Sequence, residues 1–184
     1  ILMICEIVWN LTSKIVDVET AFLHGELEPG QEIYMDCPDG LEHEQDECLF
    51  LQRTIYGLVQ SARQFFKKLV QCLKTIGFQG VVADPCLTTR KSEKGIVFIA
   101  LYVDDCYCVG HEEAINDTIA KMKTSGFSVK VEDNLSDYLS CNIAFDAQRK
   151  KAWLGQPHLI KNLELKNLEQ KFGELVAGMQ RYRT

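Results

Sequence analysis

Ile96-Val97-Phe98-Ile99-Ala100-Leu101-Tyr102-Val103-Asp104-Asp105-Cys106-Tyr107-Cys108-Val109 is the stretch on which the fold turns. Its opening run is apolar and rich in β-branched and aromatic side chains, too short to cross a bilayer and suited to a buried strand. Asp104-Asp105 interrupts the run and Cys106-Tyr107-Cys108-Val109 resumes it, which outlines a β-hairpin with two acids at its tip. An uncompensated carboxylate in apolar surroundings is costly, so something positive is expected there.

Working outward, a second short strand is expected at Lys14-Ile15-Val16-Asp17-Val18, where polar and apolar residues alternate, after a first segment (1–10) that reads as the last turns of a helix. Residues 26–47 are rich in acids, Pro and Gly, with a strand-like island at Ile33-Tyr34-Met35 and another at Cys48-Leu49-Phe50-Leu51, a connecting region with a hairpin. From Ser61 the period changes: Phe65, Phe66, Leu69, Cys72, Leu73 and Ile76 recur at three and four, an amphipathic helix that Gly77 ends. A short strand near 86–89 and a basic turn at 90–95 lead into the central hairpin. A helix over 112–125 follows, then strand-like pieces near 127–131, 138–145 and 152–154, and a helix from about 157 to 165. The order is α+β, an antiparallel sheet with packed helices.

At 184 residues, 46% hydrophobic and 25% charged, the chain matches a globular domain rather than a disordered, collagenous or coiled-coil one. No basic, apolar leader opens it, so an intracellular protein with no membrane partner is expected. Net charge is −6, so any polyanion would have to be held by local basic clusters. The 8 cysteines lack C-x2-C pairs and read mostly as buried free thiols; Cys106 and Cys108 would share a strand face. The chain opens on Ile1-Leu2-Met3-Ile4 and stops at Arg181-Tyr182-Arg183-Thr184, which reads as a segment of a longer polypeptide.

Adjacent acids at a tight turn can approach one site, and Asp17, at the end of another buried strand, is a candidate third ligand. Three carboxylates without His or Cys favour magnesium, and a two-metal site for in-line phosphoryl transfer becomes plausible. A solvated turn with no ligand is the alternative at this point.

Tyr102-Val103-Asp104-Asp105, with Asp17-Val18-Glu19-Thr20-Ala21-Phe22-Leu23-His24-Gly25, resembles the palm of copia-type long-terminal-repeat retrotransposon reverse transcriptases. Glu32-Ile33-Tyr34-Met35 with Pro38 and Gly40, then Ile55-Tyr56-Gly57-Leu58-Val59-Gln60-Ser61-Ala62-Arg63-Gln64-Phe65, and Ala83-Asp84-Pro85-Cys86-Leu87 recur in that family in the same order. The resemblance implies a reverse-transcriptase fragment over 1–184, palm and partial fingers at about 4–147 and the start of the thumb at about 148–184. It implies an RNA-directed DNA polymerase using two Mg2+ ions, with Mn2+ able to substitute. By position, Asp17, Asp104 and Asp105 resemble the catalytic, metal-binding triad. Val18 would lie along the incoming dNTP, Phe22 under its sugar, Gln60 near its 3′-hydroxyl and Lys130 near the departing pyrophosphate. Tyr102, Val103 and Arg63 would serve primer and template. The implied partners are an RNA template, a DNA or RNA primer, dNTPs, and the fingers, RNase H and integrase parts of the polyprotein, in cytoplasmic virus-like particles or the nucleus.

Plainer readings stand beside these. Phe22 serves equally as core, Gln60 as a helix-cap neighbour, and Lys130 as a solvated lysine. Arg63, Lys67 and Lys68, like Arg149-Lys150-Lys151, either track phosphate or sit on solvated faces. Trp9 and Trp153 read as packing residues. Departures from the family pattern are Leu139-Ser140 for Leu-Gly, Val59 for Lys, and Ser61-Ala62 for Ala-Pro. A catalytically inactive remnant, binding nucleic acid or a partner at most, is the alternative function, and a template-independent two-metal enzyme a weaker third.

Overall fold

The computed structural model describes residues 1–132, 138–146 and 148–162. Contacts divide the chain into two compact units, Ile1–Asp133 and Asn134–Thr184. The first unit runs α1 (Leu2–Val8), β1 (Thr12–Val18), a 3-10 turn (Ala21–His24), β2 (Tyr34–Asp36), β3 (Cys48–Phe50), α2 (Ser61–Thr75), β4 (Gln79–Val81), β5 (Asp84–Ser92), β6 (Gly95–Tyr102), β7 (Asp105–Gly110), α3 (Glu112–Thr124) and β8 (Val129–Glu132). Six strands form one antiparallel sheet in the order β4-β5-β6-β7-β1-β8, and β2 and β3 pair separately. The α+β, antiparallel expectation is met.

Residues directly opposed in antiparallel strands share a face, so the register sorts the sheet into two sides. Pairing Val16 with Cys106 and Val131, and Ile99 with Cys108, puts these residues on one side. There Val16, Val18, Val97, Ile99, Leu101, Cys106, Cys108 and Val129 pack with Phe65, Leu69 and Leu73 of α2 and Ala114, Ile115 and Met122 of α3. Each fully buried large side chain contributes about 1.5–3 kcal/mol, which is why α2 keeps its apolar stripe inward. Gly77, at φ 97°, ends α2 in a conformation other residues resist.

On the other side lie Ser13, Ile15 and Asp17 of β1 with Asp105 and Tyr107 of β7. Helix α1 covers part of it. The one buried residue of α1 is not apolar but Glu6, whose carboxylate accepts from Ser13 Oγ at 2.7 Å and from the Tyr107 hydroxyl at 3.1 Å. The apolar residues Ile1, Ile4 and Val8 are exposed instead.

Three expectations need correction. The supposed basic turn at 90–95 is mostly strand: Arg90 and Lys91 belong to β5, and only Glu93-Lys94 turn the chain. Arg90, opposite Val97, faces the core at 4% exposure, because its charge is neutralised there. It donates to Asp117 Oδ2 at 2.7 Å and to the Ile76 and Ala114 carbonyls at 3.3 Å, tying the end of α2 to α3. The cysteines are not mostly buried: Cys72, Cys106 and Cys108 are, whereas Cys48 and Cys86 are exposed, because they lie on β3 and at the start of β5, outside the core that α2 and α3 cover. Trp9 packs as expected, stacking on Phe98 at 5.8 Å while 53% exposed, whereas Trp153, 55% exposed, is a surface residue.

In the second unit β9 (Asn142–Phe145) and β10 (Ala152–Gly155) form an antiparallel hairpin, followed by α4 (Pro157–Asn162). The backbone amides of Lys150 and Lys151 are drawn onto Asp146 Oδ1, and the Arg149 guanidinium lies 4.6 Å from the Phe145 ring centre. Residues 163–184, where the expected last helix ends and most of the supposed thumb falls, lie outside the described residues.

Asp117 receives Lys94, Lys121 and Arg90 together, and these bonds hold its carboxyl well below the usual carboxylate range. The folded state thus gains stability above the ordinary aspartate pKa and loses it as pH falls through the depressed value. Asp117→Asn, which leaves the Arg90 guanidinium buried without its counter-charge, is expected to cost about 3 kcal/mol at pH 7. Urea denaturation across pH will show this difference shrinking toward acid.

Candidate active site

The central strands converge at one end of the sheet. Tyr102 of β6 stands opposite Asp105 of β7, Asp105 opposite Asp17 of β1, and Asp17 opposite Lys130 of β8. One row across four strands therefore carries a phenol, two carboxylates and an ammonium on the side away from α2 and α3. The hairpin tip differs from the expectation in one respect: Val103 and Asp104 form the two-residue loop, and Asp105 already begins β7. Val103 takes φ 51°, a conformation a β-branched residue avoids, at a cost of about 1–3 kcal/mol. The Asp104 carbonyl accepts the Val18 N–H at 2.9 Å, which locks the loop to the end of β1.

The acids act on one another. Burial first, then the charge of Asp104, raises the Asp17 carboxyl above its ordinary value, with Glu132 and Glu19 adding to the rise and Lys130 opposing it. Asp105 is likewise raised by burial, then by Asp104, Asp17 and Glu132. Lys130 donates to Glu132 Oε1 at 2.6 Å, and that bond, then the charges of Glu132 and Asp17, hold its ammonium protonated to higher pH.

A second group gathers where β1 leads into the 3-10 turn. The Phe22 ring meets Tyr56 at 4.5 Å and Phe65 at 6.4 Å between centroids. Its carbonyl accepts the hydroxyl of Thr54, a fully buried residue. A Cβ on Gly25 would lie 2.2 Å from Thr54 Oγ1, so only glycine lets the chain pass. Gln60 is the residue that caps α2, without a side-chain cap bond, and Arg63 is exposed one turn on. Val18 is buried in the core and its N–H is engaged by Asp104, so its side chain serves packing.

The family described as Reverse transcriptase (RNA-dependent DNA polymerase) matches residues 2–173. The chain belongs to that family, and within it to the copia type. It is 33% identical over 160 residues to the Retrovirus-related Pol polyprotein from transposon TNT 1-94 of Nicotiana tabacum, covering 84% of this chain and 12% of that protein. Against the Pol polyproteins from transposons RE2 and RE1 of Arabidopsis thaliana it is 31% and 32% identical over 126 residues, 67% of this chain and 8% of each of theirs. The chain therefore spans about a tenth of the length of these curated relatives. No solved structure matches it.

Reverse transcriptases as a family use divalent metal ions, and the donor chemistry here fits one: all-oxygen ligands whose mutual repulsion a cation would relieve. Among the described residues no group of three His, Cys, Asp or Glu side chains is already arranged to hold an ion. Glu132 and Thr54 are not among the residues expected at the site, and Tyr56 is expected only as part of the Ile55–Phe65 motif, without a role. Glu132 was open to detection, since Lys130 and Glu132 alternate with Val129 and Val131 along one strand; nothing in the sequence marks the tertiary contacts of Tyr56 and Thr54.

Because Asp17 and Asp105 bind their protons more tightly folded than unfolded, their ionisation opposes folding above the carboxylate range and ceases to do so as pH falls through the raised values. With divalent ions chelated, Asp17→Asn or Asp105→Asn is expected to raise the melting midpoint by a few degrees at pH 7, a gain that calorimetry will show fading in acid. Gly25→Ala is expected to lower stability by about 1–3 kcal/mol through the Thr54 clash, readable in the same scans.

Proposed function

We infer that this chain is the polymerase segment of a copia-type retrotransposon Pol polyprotein, carrying out template-directed nucleotidyl transfer by a two-metal mechanism. The observation that carries the reading is Asp17 facing Asp105 across β1 and β7, with Asp104 in the adjoining loop. On this reading the sheet is the palm, with partial fingers, over about 4–147, and about 148–184 begins the thumb.

The primer 3′-hydroxyl attacks the α-phosphorus of a dNTP paired to the RNA template; the bond to the β,γ-pyrophosphate breaks and pyrophosphate leaves. Asp17 and Asp104 would hold Mg2+, or Mn2+ in its place, with Asp105 beside them. Bound there, the ions would supply activation of the hydroxyl and neutralisation of charge on the departing phosphates. Asp17 and Asp105, with pKa values raised by burial and by their neighbours, have the electrostatic need for such a counter-charge. Lys130, opposite Asp17, offers a cation on the pyrophosphate side once it parts from Glu132. Tyr102 and Val103, more than two-fifths exposed beside the acids, offer a surface to the primer terminus. Phe22, fixed by Tyr56, Phe65 and Thr54, would lie under the sugar and reject a 2′-hydroxyl by contact. Gln60 would meet the nucleotide and Arg63 the template or primer at the start of α2, while the backbone at Val18 borders the triphosphate. The fingers, RNase H and integrase parts of the polyprotein complete the assembly in the cell, in virus-like particles or the nucleus.

The test is incorporation of labelled dTTP on oligo(dT)-primed poly(rA), in magnesium and in manganese. Wild type is expected to incorporate and Asp104→Asn to lose about 100-fold or more, with its circular dichroism unchanged. A folded wild-type chain that incorporates nothing in either metal would sink the reading and leave the inactive remnant in its place.

A further inference from the structure

Among the described residues, strands β2 and β3 pair only with each other, apart from the six-stranded sheet. Along β2 and its flanks Glu32, Tyr34 and Asp36 are exposed while Ile33, Met35 and Cys37 are partly covered, and on β3 Cys48, Leu49 and Phe50 are all exposed, so the face bearing Tyr34 and Phe50 is open on both strands. The register places Tyr34 opposite Phe50 on that face, and the two rings meet at 5.1 Å between centroids with planes 36° apart. They are 57% and 47% exposed. The Tyr34 hydroxyl donates to Glu32 Oε2 at 3.3 Å, which holds a carboxylate at the ring edge.

Charge is concentrated here. Residues 26–47 carry 9 carboxylates and no lysine or arginine, in a chain whose net charge is only −6, so the remainder is positive on balance. Glu28 and Glu26 are answered by Lys67 and Lys68 of α2. Among the described residues, the acids from Glu32 to Glu47 have no such counter-ion. Exposed π faces edged by carboxylates recognise an organic cation, and a guanidinium both stacks on rings and bonds to carboxylates. A nucleic acid would meet repulsion on this surface.

We propose that the outward face of the β2–β3 hairpin docks an arginine- and lysine-rich extended segment of a protein partner. One guanidinium lies over the Tyr34–Phe50 pair, and neighbouring basic residues meet Glu32, Asp36 and the loop acids. The proposal is independent of the polymerase reading.

The test is fluorescence anisotropy of a labelled oligo-arginine peptide titrated with the 184-residue chain at physiological salt. Wild type is expected to bind. The double variant Tyr34→Leu/Phe50→Leu keeps the charge and the apolar character of the two positions while removing the rings, and is expected to bind about 10-fold more weakly. Glu112→Gln/Glu113→Gln, on α3, is expected to bind as wild type does. Equal affinity of the leucine variant would overturn the proposal, leaving a mere acidic field. So would preference of the same rings for labelled oligo(U), or self-association of the chain that the leucine variant abolishes. Should that variant lose its fold, Glu32→Gln/Asp36→Asn takes its place, and peptide affinity unchanged by it overturns the proposal equally.

Discussion

Opposing Asp17 to Asp105 across β1 and β7 is the constraint from which the rest of the first unit follows. Side chains alternate along a strand, so this pairing also fixes Val16 and Cys106 on the opposite side, against α2 and α3. A slip by one residue would turn the carboxylates into the core and the valines into water. The hydrophobic effect thus enforces the side on which the acids lie without touching them: any pairing that buries Val16, Val18, Ile99 and Leu101 leaves the acidic row outside.

That enforcement carries an internal tension. Burial and mutual charge work against the ionised forms of Asp17 and Asp105, and Val103 at the loop adopts a backbone conformation unfavourable to its side chain. The stability to hold such a region comes from elsewhere: the two-helix core, the Arg90–Asp117 pair that joins the helices beneath it, and Glu6, which draws α1 onto Ser13 and Tyr107. Functional regions are where such conflict between local preference and global fold is expected.

Much of this was legible in the chain. The apolar run ending in Asp104-Asp105 announces the hairpin, the spacing of Phe65, Leu69, Cys72 and Leu73 announces α2, and the period-two pattern before Asp17 announces β1, because each is a local pattern driven by burial. What escaped were side chains whose environment is set by distant partners. Arg90 reads as part of a basic turn until Asp117 is brought to it, and no local pattern singles out Glu6, whose burial depends on the two donors Ser13 and Tyr107. The ordered motifs placed Asp17, Asp104 and Asp105 in one family, but the row linking Tyr102 and Lys130 to them needed the strand register.

The two thiols of β7 have a consequence of a different kind. Cys106 and Cys108 lie fully inside, their pKa values pushed up by burial, well above the ordinary thiol range for Cys106 and to about 12 for Cys108. Thiolate, the reactive form, is therefore suppressed as strongly as access is. Cys48 and Cys86 stand in solvent. The chain thus carries a built-in clock: alkylating reagents will consume the outer thiols at once, whereas modification of Cys106 and Cys108 waits on the parting of α2 and α3 from the sheet, so its rate times the local opening of the core behind the acidic row.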